Sequence, residues 1–270
     1  AGLDENGRIT AWSHKVAAAS VMSRLMPQAV QNGIDHDAVS GIVNMPYTIP
    51  NQLVNYVLFE SPVTVGWWRS VGFSVNVFTV ESFMDELAHA AGKDPVQFRL
   101  DHLDKGGRAY NILSMLAEKA NWGSSLPKGR AKGVAVSACF ESFAAHMAEV
   151  SVDKKGKIKV HKVVCAIDCG TAVYPDGIRA QCEAGVIMGL SVAFHEKVSF
   201  RNGGVSTANY DEYPVLRMSE VPDIEVHIAE NTHKPGGVGE PVFPTVAPAV
   251  ANAIFKATGK RIRELPISSA

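Results

Sequence analysis

The sequence predicts an α+β fold, and three observations point to that class. Alternating apolar and polar residues, the pattern of half-buried strands, occur both before and after a run of helical segments. Helical spacing is concentrated in residues 81–120, and strand patterns dominate after residue 133. The order of these elements is not the regular strand–helix alternation of a parallel α/β array. The chain has 270 residues, 46% of them hydrophobic, which suffices for one large domain or two lobes.

The first third of the chain has a mixed pattern. Strands are expected at residues 9–12 and 53–59, where apolar residues are bounded by turn residues. Residues 17–29 are rich in small side chains and fit either a helix or a covering loop. Pro46 and Pro50 exclude a regular helix around them, so this part is expected to be extended.

Helices are expected next. Apolar residues recur at helical spacing in residues 81–91 and 111–120. Between them, Asp94 is expected to be an N-cap, with Pro95 in the first turn of another helix. Residues 123–133 have the glycine, serine and proline content of a connector. We therefore expect a first lobe of residues 1–125 and a second of residues 126–270.

Strands and two further helices are expected in the second lobe. The strands are at residues 146–152, 158–164 and 224–228, with a hairpin across 195–204. One helix is expected at residues 178–194, with Asp176 as its N-cap. The last helix is expected to begin near Pro248 and to end at Gly259.

One turn pattern occurs twice. It consists of Asp, two residues, Gly, a basic residue and Ile, and it spans residues 4–9 and 153–158. The two turns indicate either two copies of one structural unit or two ordinary hairpins. The pattern alone leaves both interpretations open.

Composition excludes several classes of partner. The 26 basic and 27 acidic residues nearly cancel, and no basic stripe is present, so nucleic acid is not expected. The longest apolar runs are too short for a membrane span. The four cysteines have no metal-binding spacing and are expected to be buried apolar residues, so no metal ligand is assigned to this chain.

The N-terminal residues do not resemble a targeting segment. There is no initiator methionine and no basic, apolar leader. The expectation is that Ala1 is not the start of the natural product. The compartment stays undecided between cytoplasm and periplasm.

The most distinctive segment is the glycine-rich run that ends in Glu240. Gly236, Gly237 and Gly239 allow close backbone approach to a ligand and are expected to leave N–H groups free to face it. Glu240, followed by Pro241, is placed as a candidate general base. On spacing alone, an ordinary turn with an exposed glutamate remains an alternative.

Two other side chains are candidates for binding an anionic or polar group. Arg69 follows two tryptophans, and a guanidinium suits a phosphate or oxo-anion. Gln181 can pair with a base edge or an amide through its donor and acceptor. A core tryptophan pair with a surface arginine, and a structural glutamine, are the alternatives.

Several motifs occur together in one order along nearly the whole chain. They are Trp-Arg-Ser-Val-Gly at 68–72, Glu81 before Phe-Met-Asp-Glu-Leu-Ala, Asp94-Pro95, Asp168-Cys169-Gly170, Gln181-x-Glu183, Gly237-Val238-Gly239-Glu240 and Ala247-Pro248-Ala249. This series resembles the large subunit of the xanthine dehydrogenase family. The resemblance is strongest to the branch of the isoquinoline 1-oxidoreductase beta subunits.

The resemblance implies the C-terminal part of a molybdenum hydroxylase large subunit with a molybdopterin cofactor, in the cytosine dinucleotide form. It implies that Glu240 is the base, that Arg69, Gln181, Gly237 and Gly239 lie at the cofactor, and that the fold is built from repeated β-rich units with packed helices in two lobes. The implied reaction hydroxylates an N-heteroaromatic or an aldehyde with oxygen from water. The implied partners are the N-terminal part of the large subunit, a small subunit that carries iron–sulfur clusters, and a small-molecule substrate.

The chain departs from the family pattern at three places. Tyr174-Pro175 and Ala184-Gly185 replace the usual Asn-Pro and Gly-Gly, and the family's Gly-Gly-Gly-Phe-Gly segment is absent. These 270 residues alone are therefore expected to bind no cofactor tightly and to be inactive. An alternative is a non-catalytic module that binds a partner subunit or the rest of the large subunit.

Overall fold

A computed structural model describes residues 1–268. The strands are β1 (Gly2–Leu3), β2 (Ile9–Ala18), β3 (Gln52–Leu58), β4 (Arg130–Cys139), β5 (Ser142–Val152), β6 (Ile158–Asp168), β7 (Phe200–Arg201), β8 (Gly204–Val205) and β9 (Asp223–Ile228). The α-helices are α1 (Met22–Leu25), α2 (His36–Val39), α3 (Phe73–Ala90), α4 (Pro95–Asp101), α5 (Arg108–Lys119), α6 (Pro175–Phe194) and α7 (Val246–Thr258). The predicted α+β class is confirmed.

Two sheets form the frame. The first has the order β1-β2-β3, and the second has the order β4-β5-β6-β9. In the first sheet, β2 is antiparallel to β1 and parallel to β3. In the second sheet, β6 is likewise antiparallel to β5 and parallel to β9, which comes later in the sequence. Strands β7 and β8 form a separate short hairpin.

The two copies of the repeated turn pattern have the same geometry. Asp4 Oδ1 accepts from the N–H groups of Asn6 and Arg8 at 2.9 and 2.8 Å. Asp153 Oδ1 accepts from the N–H groups two and four residues later at 2.8 and 2.9 Å. Gly7 and Gly156 both have positive φ, at 70° and 79°, which glycine adopts without strain. Since matching sheets follow the two turns, we interpret them as two copies of one unit.

The core joins these sheets to the helices. One cluster of buried side chains packs β2 and helices α3, α4 and α5 against one face of the second sheet. Val134 and Met147 belong to that face of the sheet. A second cluster packs α6 and α7 on the opposite face of that sheet. Helix α7 lies close to β4, because a Cβ at Gly133 would come within 2.2 Å of the Ala253 nitrogen. The two-lobe division near residue 125 stays a prediction.

A buried ion pair lies at the centre of the molecule. Arg99 on α4 donates to Glu81 on α3 at 2.8 Å, and both side chains are almost fully buried. Glu81 also accepts from the Val136 N–H on β4 at 3.0 Å and from the Tyr47 hydroxyl at 2.5 Å. This network ties α3, α4 and β4 together.

Four sequence expectations are corrected in detail. Helix α3 begins at Phe73, eight residues before the expected start, and β4 begins at Arg130 inside the expected connector. The N-cap of α6 is Tyr174 without a side-chain cap, and Asp176 lies in the first turn. The hairpin across 195–204 contains only the two-residue strands β7 and β8.

Within residues 1–268, no helix combines the length and the apolar character that crossing a bilayer requires.

Candidate functional site

The glycine-rich loop is fixed between two neighbouring backbone segments. The N–H of Gly236 donates to the carbonyl of Cys169, and the N–H of Gly237 donates to the carbonyl of Phe140, both at 2.8 Å. The Ser142 hydroxyl donates to the Gly237 carbonyl at 2.6 Å. A Cβ at Gly236 would come within 2.5 Å of that hydroxyl, so this position requires glycine.

The expectation of free glycine N–H groups is correct for only part of the loop. Those of Gly236 and Gly237 are bonded to the chain itself. Over residues 1–268 the structure gives no partner for the N–H groups of Val238, Gly239 and Glu240. These three consecutive donors are available to an acceptor of a ligand.

Glu240 is held by Ser70, a residue 170 positions earlier. The Ser70 N–H donates to Glu240 Oε1 at 2.7 Å, and the Ser70 hydroxyl donates to the Glu240 carbonyl at 2.8 Å. Ser70 is fully buried, while Glu240 is half-buried. Within the described part of the chain, Glu240 Oε2 has no hydrogen-bond partner. The carboxylate is therefore fixed through one oxygen and free at the other.

An unusual backbone conformation produces these contacts. Ser70 and Val71 have φ of 70° and 51°, a left-handed region that is strained for residues with a Cβ. Such strain persists only where surrounding contacts enforce it, and it is frequent at functional sites. Here the strained pair turns the Ser70 N–H toward the Glu240 carboxylate.

Arg69 links the same loop to helix α6. Its Nε donates to the Gly239 carbonyl at 2.7 Å, and its terminal nitrogens contact Gln181 Oε1 at 3.2 Å and Met188 Sδ at 3.0 Å. Burial lowers the pKa of Arg69 from its ordinary value, and the charge of Glu240 acts in the opposite direction. The structure thus brings Arg69, Gln181, Gly239 and Glu240 together.

The negative charge of Glu240 also reaches the end of β4. Burial raises the pKa of the Cys139 thiol, and the Glu240 carboxylate adds to the rise. Cys139 is 2% exposed and is followed by the two-residue turn Phe140–Glu141, in which both φ values are positive. This turn supplies the carbonyl that fixes Gly237.

The buried Asp168 forms an ion pair next to the glycine-rich loop. Arg108 on α5 donates to both carboxylate oxygens of Asp168, at 2.9 and 2.7 Å, and to the Glu141 carbonyl at 3.0 Å. Burial alone would raise the pKa of Asp168, but hydrogen bonds from Arg108, Gly170 and Asn231 hold it below its ordinary value. Arg108 thus connects the turn between β4 and β5 to the segment Asp168-Cys169-Gly170.

A cavity of about 370 Å³ adjoins the loop. Its walls include Cys169, Tyr174, Gln181, Gly236 and Val238. The aromatic residue Tyr174, which replaces the usual family asparagine, is 68% exposed at its rim. A larger cavity of about 700 Å³ lies between β6 and residues 216–223, remote from Glu240, and has no guanidinium in its walls.

Sequence reasoning missed several residues that shape the site. Ser70 was quoted in a motif without a role, and Met188, Arg108 and the Phe140–Glu141 turn were not singled out. The only sequence signal for Ser70 was its place after Arg69, because a left-handed serine and a contact across 170 residues leave no local pattern.

The residues present fit an anionic, phosphate-bearing pterin. A guanidinium at Arg69, an amide at Gln181 and unpartnered N–H groups at 238–240 are donors that match phosphate and pterin acceptors. A group of three or more histidine, cysteine or acidic side chains able to hold a metal is absent from residues 1–268.

Comparison with known families agrees with this fit. Two family models, each described as a molybdopterin cofactor-binding domain, match residues 1–103 and residues 74–222. The chain belongs to the family of molybdopterin cofactor-binding domains, which occur in molybdenum oxidoreductases.

Individual relatives cover the whole chain. It is 34% identical over 99% of its length to isoquinoline 1-oxidoreductase subunit beta from Brevundimonas diminuta. It is also 34% identical over 99% to membrane-bound aldehyde dehydrogenase (pyrroloquinoline-quinone) from Gluconacetobacter polyoxogenes. The chain spans 35% and 38% of these two proteins. The resemblance to the isoquinoline 1-oxidoreductase beta subunits is thereby confirmed.

A solved structure shares the fold. Quinoline 2-oxidoreductase from Pseudomonas putida 86 superposes with a TM-score of 0.85 at 12% sequence identity, covering 98% of this chain and 60% of that chain. At this identity the likeness concerns the fold alone.

Proposed function

We propose that the chain is the catalytic-base part of a molybdenum hydroxylase large subunit. The proposed reaction is oxidative hydroxylation of an N-heteroaromatic or an aldehyde with oxygen from water. The observation that carries the proposal is the Glu240 carboxylate, fixed through Oε1 by Ser70 and beside Arg69, Gln181 and unpartnered backbone donors. The relatives' names, an isoquinoline oxidoreductase and an aldehyde dehydrogenase, support these two substrate classes.

Glu240 acts as the general base in this proposal. Its Oε1 is occupied by the Ser70 N–H, so Oε2 is the atom that accepts the proton. A carboxylate held in one orientation needs no rearrangement before proton transfer, which favours the reaction. Ser70 is a positioning residue, since it acts through Glu240.

The cofactor is proposed to be the cytosine dinucleotide form of molybdopterin. When bound, it supplies the two-electron redox chemistry and the acidification of water. Arg69 and the N–H groups near Gly239 would bind its anionic groups, and Gln181 would hydrogen-bond a polar edge. Gly237 would allow close approach, because it is exposed and has no side chain.

The remaining parts of the proposal concern the whole protein. Residues 1–125 and 126–270 form two lobes, and the N-terminal part of the large subunit completes the site. Iron–sulfur clusters on a partner subunit take the electrons away. These 270 residues alone bind no cofactor tightly.

The experiment compares Glu240→Gln with Glu230→Gln in the complete enzyme, assembled from the full large subunit and its iron–sulfur partner. Glu230 is an exposed glutamate outside the site and serves as the matched control. We expect molybdenum and cytosine-containing pterin in both variants. Turnover of isoquinoline or benzaldehyde should fall at least about 100-fold in Glu240→Gln only.

Two results would contradict the proposal. Unchanged turnover in Glu240→Gln would exclude the base role. Absence of molybdenum from the wild-type assembly would favour the alternative, a non-catalytic module that binds a partner.

A further inference from the structure

The two repeated units differ in how completely their central strands are paired. In the second unit, β6 is paired with β5 along its whole length, from Ile158 to Asp168. In the first unit, the equivalent strand β2 has ten residues, but β1 pairs only with Ile9 and Ala11. In the part of the chain that the structure describes, nothing pairs with that side of residues 12–18. An unpaired strand side of this length is a template for another strand.

A groove runs along this unpaired side. It has a volume of about 320 Å³ and lies between residues 12–15 of β2 and the face of α3 that carries Phe78 and Phe83. Trp12 is only 2% exposed, so its indole belongs to the packed wall of the groove.

We propose that this groove binds a β-strand of the same large subunit, the segment that precedes Ala1 in its sequence. The inference rests on the proposed function, in which the chain is one part of a longer subunit. β1 runs antiparallel to β2 with Gly2 opposite Ala11. A strand continued from β1 beyond Gly2 therefore passes Trp12 and reaches Ala18, taking the place that β5 has beside β6.

The relatives provide the necessary length. The chain spans 35% and 38% of two of them, so most of each lies outside the aligned region. The strand's main chain would pair with the free N–H and C=O groups of β2. This mode of binding is β-strand addition.

Photo-cross-linking in the complete large subunit tests the proposal. A photoreactive p-benzoylphenylalanine replaces Lys15 in one protein and Asn55 in another. These residues are both exposed and lie opposite each other on β2 and β3, so Asn55 is the matched control on the other edge of the sheet. We expect position 15, and not position 55, to cross-link to the segment that precedes Ala1.

Hydrogen exchange in the same unmodified subunit gives a second readout. If β2 is paired on both sides, amides of residues 12–18 should exchange within about tenfold of those in β6. Cross-links from position 15 to a second copy, to the small subunit or to nothing, together with alternate β2 amides that exchange about 100-fold faster, would overturn the proposal.

The two proposals fail separately. Molybdenum content and substrate turnover report on the proposed function, whereas cross-links and exchange report on the groove. A molybdenum-containing, active subunit with an unprotected β2 would reject only the strand addition. A protected β2 in a protein without molybdenum would reject only the hydroxylase.

Discussion

At the scale of single residues, Ser70 fixes the orientation of Glu240 through two hydrogen bonds. The carboxylate receives one N–H bond at 2.7 Å, and the Glu240 backbone receives one hydroxyl bond at 2.8 Å. Ser70→Ala removes only the second bond, because the first is donated by the main chain.

Ser70→Ala should lower kcat about three- to tenfold, the effect of losing one hydrogen bond of about 1 kcal/mol, with little change in KM. Steady-state kinetics of the complete enzyme measure both constants. Ser74→Ala is the control, because the Ser74 hydroxyl, in the first turn of α3, donates to the Val71 carbonyl at 2.6 Å without contacting Glu240. Equal losses in both variants would show that Ser70 acts only through loop stability.

His146 makes a pH-dependent contribution to stability. It is fully buried, and burial lowers its pKa from 6.5 to about 3. Since the folded pKa lies below the unfolded one, this contribution is complete above pH 6.5 and is lost as pH falls toward 3. His146→Leu should flatten the fall of unfolding free energy between pH 6 and 4 by up to about 1.4 kcal/mol per pH unit.

Urea unfolding at several pH values measures that slope. His36→Leu is the control, because His36 is exposed at the start of a short helix. The prediction is wrong if His146→Leu keeps the wild-type slope or if His36→Leu flattens it equally.

At the scale of elements, the sequence predicted type better than extent. Strand β3 lies within one residue of its expected bounds, and α7 ends as expected at Gly259, whose φ of 76° fits a helix cap. The start of α3 was missed because Val75, Val77 and Val80 are β-branched and favour strands locally. Burial of Phe73, Val77 and Val80 at helical spacing overrides that preference.

The buried ion pair should dominate the packing of α3 on α4. Glu81→Gln leaves Arg99 buried without a counter-charge and should reduce the free energy of unfolding by about 3–5 kcal/mol. Glu86→Gln, on the same helix, breaks an ion pair with the largely exposed Arg263 and should cost less than about 1 kcal/mol. Urea unfolding of both variants measures the contrast, which similar losses would contradict.

Close packing of the glycine-rich loop gives another element-scale prediction. Gly236→Ala places a Cβ 2.5 Å from the Ser142 hydroxyl and 2.7 Å from the Glu141 carbonyl, so the loop must shift. Turnover should fall at least about tenfold, since small displacements of a catalytic group are costly. Gly123→Ala has open space around it and should leave turnover unchanged. Wild-type turnover in Gly236→Ala would refute the close packing.

At the scale of the whole molecule, three segments far apart in sequence converge on Glu240. Arg69 comes from the loop before α3, Gln181 from α6 and Glu240 from the loop before α7. Sequence motifs named these residues, whereas the repeated turn pattern left two units and two ordinary hairpins as alternatives. The contacts of Ser70 with Glu240 and the ion pair between Arg108 and Asp168 could not be predicted, because they depend on packing between separate elements.

The role of Glu240 in the chemical step is the central claim. The most direct measurement is the anaerobic single-turnover rate at which substrate reduces the molybdenum centre, compared between wild type and Glu240→Gln at equal molybdenum content. We expect a decrease of at least about 100-fold in the variant. A wild-type rate in a fully loaded Glu240→Gln enzyme would contradict it and assign the base to another residue.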